Sequence, residues 1–273
     1  MRSSTHHRRW PRRIAIAVAV VVVLAVGVPF AYIHFIEGKA PAKLTLTPSP
    51  APSASSASTA GLATDSGSID GQWNVGPGSV VGYRVGETLA GQKNTAVGRT
   101  SSVTGSLTIT GTSVSSATFT AQMASVRSDQ SQRDHQFDGR IMDVARYPTA
   151  TFRLTAPIDL GSTPSIGAVH SYQATGDLTL RGQTHPVTFT INAERTSSLL
   201  EAQGEINVVF ATWGISNPSL GGFVTTASNG TLEFLLHLGR GASSATAPPI
   251  TSPAGGSGGL VPATTTPPLS LGG

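Results

Sequence analysis

An antiparallel all-β domain is predicted for residues 70–240, and three features predict it. Apolar and polar residues alternate with period two in about eight runs rich in Val, Ile, Thr and Phe, clusters of Gly, Ser, Asn and Pro separate the runs, and the connections are short. The first run is Val80-Val81-Gly82-Tyr83-Arg84-Val85. In the second, Val103, Leu107 and Ile109 share one face. In the third, Phe119, Ala121 and Met123 face one way and Thr118, Thr120 and Gln122 the other. Phe152 with Leu154, Leu178 with Leu180, Val187 with Phe189 and Ile191, Ile206 with Val208, and Leu232 with Phe234 and Leu236 complete the set. Leu180-Arg181-Gly182-Gln183-Thr184 reads as a tight hairpin, because glycine supplies positive φ at little steric cost. Asn229-Gly230 reads as a second hairpin turn before Thr231. Residues 131–144 break the alternation: Phe137, Ile141 and Val144 recur at helical spacing, Ser128 or Asp129 could cap the start, and Tyr147-Pro148 would end it. This segment is read as a short helix closing one mouth. Eight antiparallel strands in about 170 residues fit an up-and-down barrel able to hold a ligand, and equally a two-sheet sandwich with a filled core.

The rest of the chain divides by composition. Residues 14–36 carry no formal charge, and 23 residues at about 1.5 Å each reach ~35 Å, enough for a hydrocarbon layer of ~30 Å. Arg8, Arg9, Arg12 and Arg13 precede them, which places the N-terminus in the cytoplasm and exports the remainder. The length favours an uncleaved anchor over a cleaved signal peptide. Residues 1–13 are thus a basic cytoplasmic leader, 14–36 a transmembrane helix, and 37–69 a Pro/Ser/Ala/Thr-rich spacer. In residues 40–69, 24 of 30 positions are Pro, Ser, Thr, Ala or Gly, too little apolar surface to offset the entropy of ordering. Residues 241–273, with 28 of 33 positions of those five types, form a second disordered tail.

The formal charge of +4 suggests an anionic partner until it is located. Residues 70–240 hold 11 Lys/Arg against 12 Asp/Glu, whereas residues 1–69 hold 7 against 2. The basic character belongs to the leader and spacer, so the folded domain has no electrostatic case for nucleic-acid binding. With no cysteine there is no disulfide, thiolate metal site or cysteine nucleophile. His135, His170 and His185 have neither HxH nor HxxxH spacing, and His185, before a proline at a strand start, is expected to be exposed. There is no GxSxG elbow, no phosphate loop after Gly76-Pro77-Gly78 and no paired-carboxylate constellation, so neither an enzyme nor a metal or other cofactor is predicted.

Two motifs carry a family resemblance. Gly176-Asp177-Leu178-Thr179-Leu180-Arg181-Gly182-Gln183-Thr184-His185-Pro186-Val187 resembles the GDLTLxGxTxPV hairpin of the YceI-like polyisoprenoid-binding proteins. Arg133-Asp134, followed by Met142-Asp143-Val144-Ala145-Arg146-Tyr147-Pro148-Thr149-Ala150-Thr151-Phe152, is similar to that family's RD…DVxxYPTxTF segment. Order and separation also match, and the wider pattern spans residues 73–238. The resemblance implies an exported, lipocalin-like eight-stranded antiparallel barrel with a long apolar interior. It further implies a polyisoprenoid ligand, of isoprenoid quinone or polyprenyl phosphate type. The chain departs from the family where many members have a His-Ser-x-Val-x-Phe strand: here Gly78-Ser79-Val80-Val81-Gly82-Tyr83 stands, so no contact of that histidine carries over.

The expected function is therefore a membrane-anchored, extracytoplasmic (periplasm-facing) binding protein with an isoprenoid-type lipid in its barrel. The expected lining is Phe119, Met123, Phe137, Ile141, Phe152, Leu154, Leu178, Leu180, Phe189 and Trp213, with Arg133 and Asp134 as a polar mouth. Neighbours on a helix do not face each other, so those last two need separate partners. The alternative is a structural or stress-related surface module whose barrel is filled by its own side chains.

Overall fold

The computed structural model describes residues 14–21, 23, 40–46, 67–89, 91–219 and 224–240. The alternating runs form strands β1 (Gly71–Val75), β2 (Val80–Leu89), β3 (Gln92–Thr100), β4 (Val103–Thr110), β5 (Ser113–Gln122), β6 (Thr149–Leu154) and β7 (Ile158–Asp159). They continue with β8 (Val169–Leu180), β9 (Gln183–Arg195), β10 (Leu199–Val209), β11 (Val224–Thr226) and β12 (Asn229–Arg240). Strands β1, β4, β5, β6, β8, β9, β10 and β12 are neighbours in that order, and β12 returns to β1 through Trp73↔Arg240 and Val75↔Leu238. Eight antiparallel strands thus close on themselves, which selects the barrel over the sandwich.

Strand β12 is long enough to hold two partners on one edge: its C-terminal end pairs with β1 and its N-terminal part with β2, from Thr231↔Arg84 to Leu235↔Val80. β3 pairs with β2, and Arg99 bridges to Arg127, so the β2–β3 hairpin extends the wall at one end.

Register sorts the two faces. Phe119, Phe152 and Leu178 stand opposite one another across β5, β6 and β8. One residue along, Thr104, Thr120, Thr151, Thr179 and Thr184 form an outward rung across five strands, with the Thr179 and Thr184 hydroxyls 2.8 Å apart. β-branched threonines suit such a rung, and a slip of one residue would exchange the apolar and hydroxyl faces. Inside, Phe189 meets Phe152 and Phe234 edge-on, at 5.3 and 5.9 Å between ring centroids. Two inward glycines make room: a Cβ on Gly176 would stand 2.5 Å from Phe152 Cζ, and one on Gly204 2.5 Å from Phe234 Cζ.

Several local expectations need correction. Residues Ser131–Gln136 are α-helical, but the chain continues as a π turn over Phe137–Ile141, the wider turn carrying both apolar side chains to the interior. Gln130 occupies the N-cap position without a side-chain cap; Asp134 Oδ1 reaches back to accept from Ser128 N and Oγ at 2.8 and 2.7 Å. The hairpin at Arg181-Gly182 forms as expected, with φ of 48° and 73°. Asn229-Gly230 is not a turn: both residues belong to β12, opposite Val209 and Val208, because pairing with β10 runs the full length of that strand. His185 is half-buried rather than exposed, its ring edge-on to Trp213 at 5.2 Å.

Residues 14–21 and 23 are helical, and no helix among the described residues is long and apolar enough to cross a membrane. The remainder of the predicted span 14–36, the leader 1–13 and the tail 241–273 lie outside the described residues. Within the predicted spacer, residues 40–46 are placed along the outer barrel wall, and Lys43 Nζ pairs with Glu205 at 2.9 Å.

Candidate functional site

The closed ring encloses an apolar cavity of about 500 Å³. It is lined on one side by Phe119 from β5, Phe152 and Leu154 from β6, and Leu178 and Leu180 from β8. Phe189 from β9 joins them, and Met123, Phe137 and Ile141 approach from the segments beside the mouth. The structure therefore brings nine of the ten predicted apolar residues to one space. Trp213 is the exception. It is buried in a 3₁₀ turn after β10 and packs on His185 instead of lining the cavity. The opposite wall was not singled out from the sequence and is supplied by Tyr83, Leu107, Ile206, Phe210, Phe234 and Leu236. Its signal was present in the alternation of Leu232, Phe234 and Leu236, but alternation does not say which face turns inward.

At the mouth, Phe137 stacks on Tyr83 with ring centroids 5.1 Å apart, fixing the helical segment over β2. Burial raises the Tyr83 phenol well above its ordinary value, against the pull of Arg133, so it stays protonated and uncharged. Arg133 also lines the cavity. Its Nη2 lies 3.3 Å from Glu87 Oε1 and its Nη1 pairs with Asp129. Burial works to lower the pKa of this guanidinium, yet the carboxylates of Glu87 and Asp129 outweigh it and hold the value above the usual one. Asn94 Nδ2 donates to the same Glu87 oxygen at 2.8 Å, orienting it. Asp134 is engaged by Ser128 and does not line the cavity, so of the predicted polar pair only Arg133 reaches it. Arg140 stands exposed at the rim.

At the other end Ile69, Pro164 and Arg195 line the cavity. Arg195 Nη2 donates to Gly67 O at 2.9 Å, and Trp73 Nε1 donates to Ile69 O at 2.8 Å, tying the chain that enters β1 beneath the barrel. Among the described residues no group of three or more His, Cys, Asp or Glu is placed to hold a metal ion.

What the site can do follows from its surface. A space walled mainly by aliphatic and aromatic carbon, with ionic groups toward its ends, suits an apolar molecule.

A family model for the YceI-like domain matches residues 73–238, from β1 to the stretch of β12 that closes the ring on it. A polyisoprenoid binding domain from Saccharophagus degradans, implicated in plant cell wall breakdown, shares the fold with a TM-score of 0.52 and 15% identity, covering 63% of this chain and 99% of that one. BcnA from Burkholderia cenocepacia matches with a TM-score of 0.46 and 20% identity, over 58% of this chain and 95% of its own. No curated protein sequence matches the chain.

Proposed function

The chain belongs to the YceI-like family, and on that premise we propose that it is a membrane-anchored, extracytoplasmic protein holding an isoprenoid-type lipid inside its barrel. The observation that carries this reading is the apolar cavity of about 500 Å³, within the range of roughly 300–1,000 Å³ typical of small-molecule sites. A self-filled barrel would leave no such space. Each buried methylene contributes about 0.8 kcal/mol, so ten lipid carbons supply about 8 kcal/mol before the cost of ordering the chain. The anchor rests on the uncharged stretch 14–36 behind its arginine cluster.

The mouth favours an uncharged head group. Arg133 is already shared by two carboxylates, and Asp134 and Asp138 add negative charge beside it. Arg127, 3.7 Å from Asp138, and the exposed Arg140 are the other cations nearby. A phosphate would therefore enter a region where carboxylates outnumber guanidinium groups, and its gain would rest on solvent-screened contacts. A quinone or alcohol head meets no such repulsion.

Binding titrations with a polyprenol and its phosphate of equal chain length test the reading. The alcohol is expected to bind at least about tenfold more tightly, the ratio given by ~1.4 kcal/mol of repulsion. Equal or tighter binding of the phosphate removes the head-group assignment, and binding of neither removes the lipid.

A further inference from the structure

We propose that residues 40–46 act as a latch that holds the barrel wall against the membrane surface, so that lipid passes between bilayer and cavity at close range. The latch sits on a built site. Arg84 Nη2 donates to Pro41 O at 2.8 Å, Arg99 Nη2 donates to Ala42 O, and Lys43 Nζ reaches both carboxylate oxygens of Glu205 at 2.9 and 3.1 Å. Two consecutive carbonyls and the next side chain are thus gripped by three strands of the wall.

The grip is prepared from beneath. Glu233 on β12 is only 1% exposed, and it accepts from Arg84 Nε at 3.3 Å and from Arg99 Nε at 2.8 Å. Arg99 reaches it by crossing over β2 at Gly82, the residue paired with both Arg99 and Glu233. Any side chain at Gly82 would obstruct the crossing, since a Cβ there would stand 2.8 Å from Arg99 Cγ. The buried carboxylate orients both guanidinium groups outward, toward the strap's carbonyls. A carbonyl pair set over a fixed arginine pair is a specific mooring, in contrast to the solvated spacer that composition alone implies.

The consequence is one of reach, and it rests on reading residues 14–36 as a membrane span. A free chain over residues 37–66 would let the barrel range to an r.m.s. distance of ~30 Å, at 5–6 Å times the root of its length. With residues 40–46 held on the wall, only four residue steps separate Ile36 from Ala40, at most ~14 Å. The cavity mouth extends along β2 from Tyr83, beside Arg84, to Leu89, at most about 17 Å away. Mouth and bilayer are therefore kept within a few nanometres, and a lipid moves between them without a long passage through water.

The full chain contains no cysteine, so a fluorophore on a single Ser228→Cys, an exposed site between β11 and β12, reports the barrel alone. The chain is placed in phosphatidylcholine–phosphatidylglycerol nanodiscs carrying head-group nitroxide lipid as quencher. The comparison is a chain with Lys43→Ala, Arg84→Met, Arg99→Met and Glu233→Leu, which removes every donor holding the strap without leaving a buried charge unpaired, its folding checked by thermal unfolding. Quenching is expected to fall about tenfold in the substituted chain, as effective concentration drops with the cube of reach from ~14 to ~30 Å. Equal quenching in the two chains, both retained on the discs, overturns the latch. A chain that does not stay on the discs overturns the membrane span and the latch with it, while the lipid-binding reading is tested separately by the titrations above.

Discussion

Filling the cavity from its own wall should exchange ligand affinity for protein packing. Ala121 on β5 is buried, faces Ala150 across β6 and Val103 across β4, and all three line the cavity. Ala121→Leu introduces about three carbons into space that a bound lipid would occupy. At about 0.8 kcal/mol per displaced methylene, ligand binding should weaken by about 2.4 kcal/mol, or roughly fiftyfold. The same carbons gain apolar contacts in the unliganded protein, so thermal stability without ligand should hold or rise. Thr118→Leu, three residues away on the outer side of the same strand, is the control and should leave affinity unchanged. Calorimetric titration with an uncharged polyprenol, paired with thermal unfolding of the empty protein, provides both numbers. Unchanged affinity for Ala121→Leu would refute the assignment of the cavity as the lipid site. A loss of several kcal/mol in stability would show that the space is not there to be filled.

Three further outcomes follow from the packing and the charges. Gly204→Ala sets a Cβ 2.5 Å from Phe234 Cζ, and displacing the ring should cost about 1–3 kcal/mol in denaturant unfolding, with weaker lipid binding alongside. Glu233→Gln leaves Arg84 and Arg99 without their shared anion; the side chains of these arginines are 15% and 25% exposed, so the cost should be about 2–3 kcal/mol rather than the full penalty of a buried break, read by urea unfolding at neutral pH. Tyr83 has its folded pKa raised by burial above the ordinary 10.0, so its contribution is intact below pH 10 and is lost as pH rises further toward the folded value. Tyr83→Phe should therefore shift the alkaline unfolding midpoint upward, and an unchanged midpoint would place the alkaline sensitivity elsewhere.

Much of the barrel was legible because its strands alternate strictly. The runs around Leu107, Phe119 and Phe189 each pair an apolar face with a Thr, Ser or Asn face, and the register stacks those faces in step. β1 and β3 were not legible. Gly71-Gln72-Trp73-Asn74-Val75 carries one deeply buried side chain, Trp73, and Gln92-Lys93-Asn94-Thr95 opens β3 with a polar stretch that owes its place to pairing with β2. Trp213, expected in the lining, is turned instead toward His185 by the 3₁₀ turn after β10. Asp134 was grouped with Arg133 as its neighbour, yet a helix sends adjacent side chains in different directions, and only Arg133 faces the mouth. The strap at residues 40–46 was hidden most completely. Its order comes from Arg84, Arg99 and Glu233, which are distant in sequence and converge only once β2, β3 and β12 are side by side.

The central claim is that the barrel holds an isoprenoid-type lipid, and the most direct test is mass spectrometry of solvent extracts from the full chain purified from the cells that express it. A lipid-holding barrel should release an uncharged isoprenoid in near-stoichiometric amount, and Ala121→Leu should release much less. An interior that is consistently empty, and that takes up no isoprenoid when one is added, would contradict it.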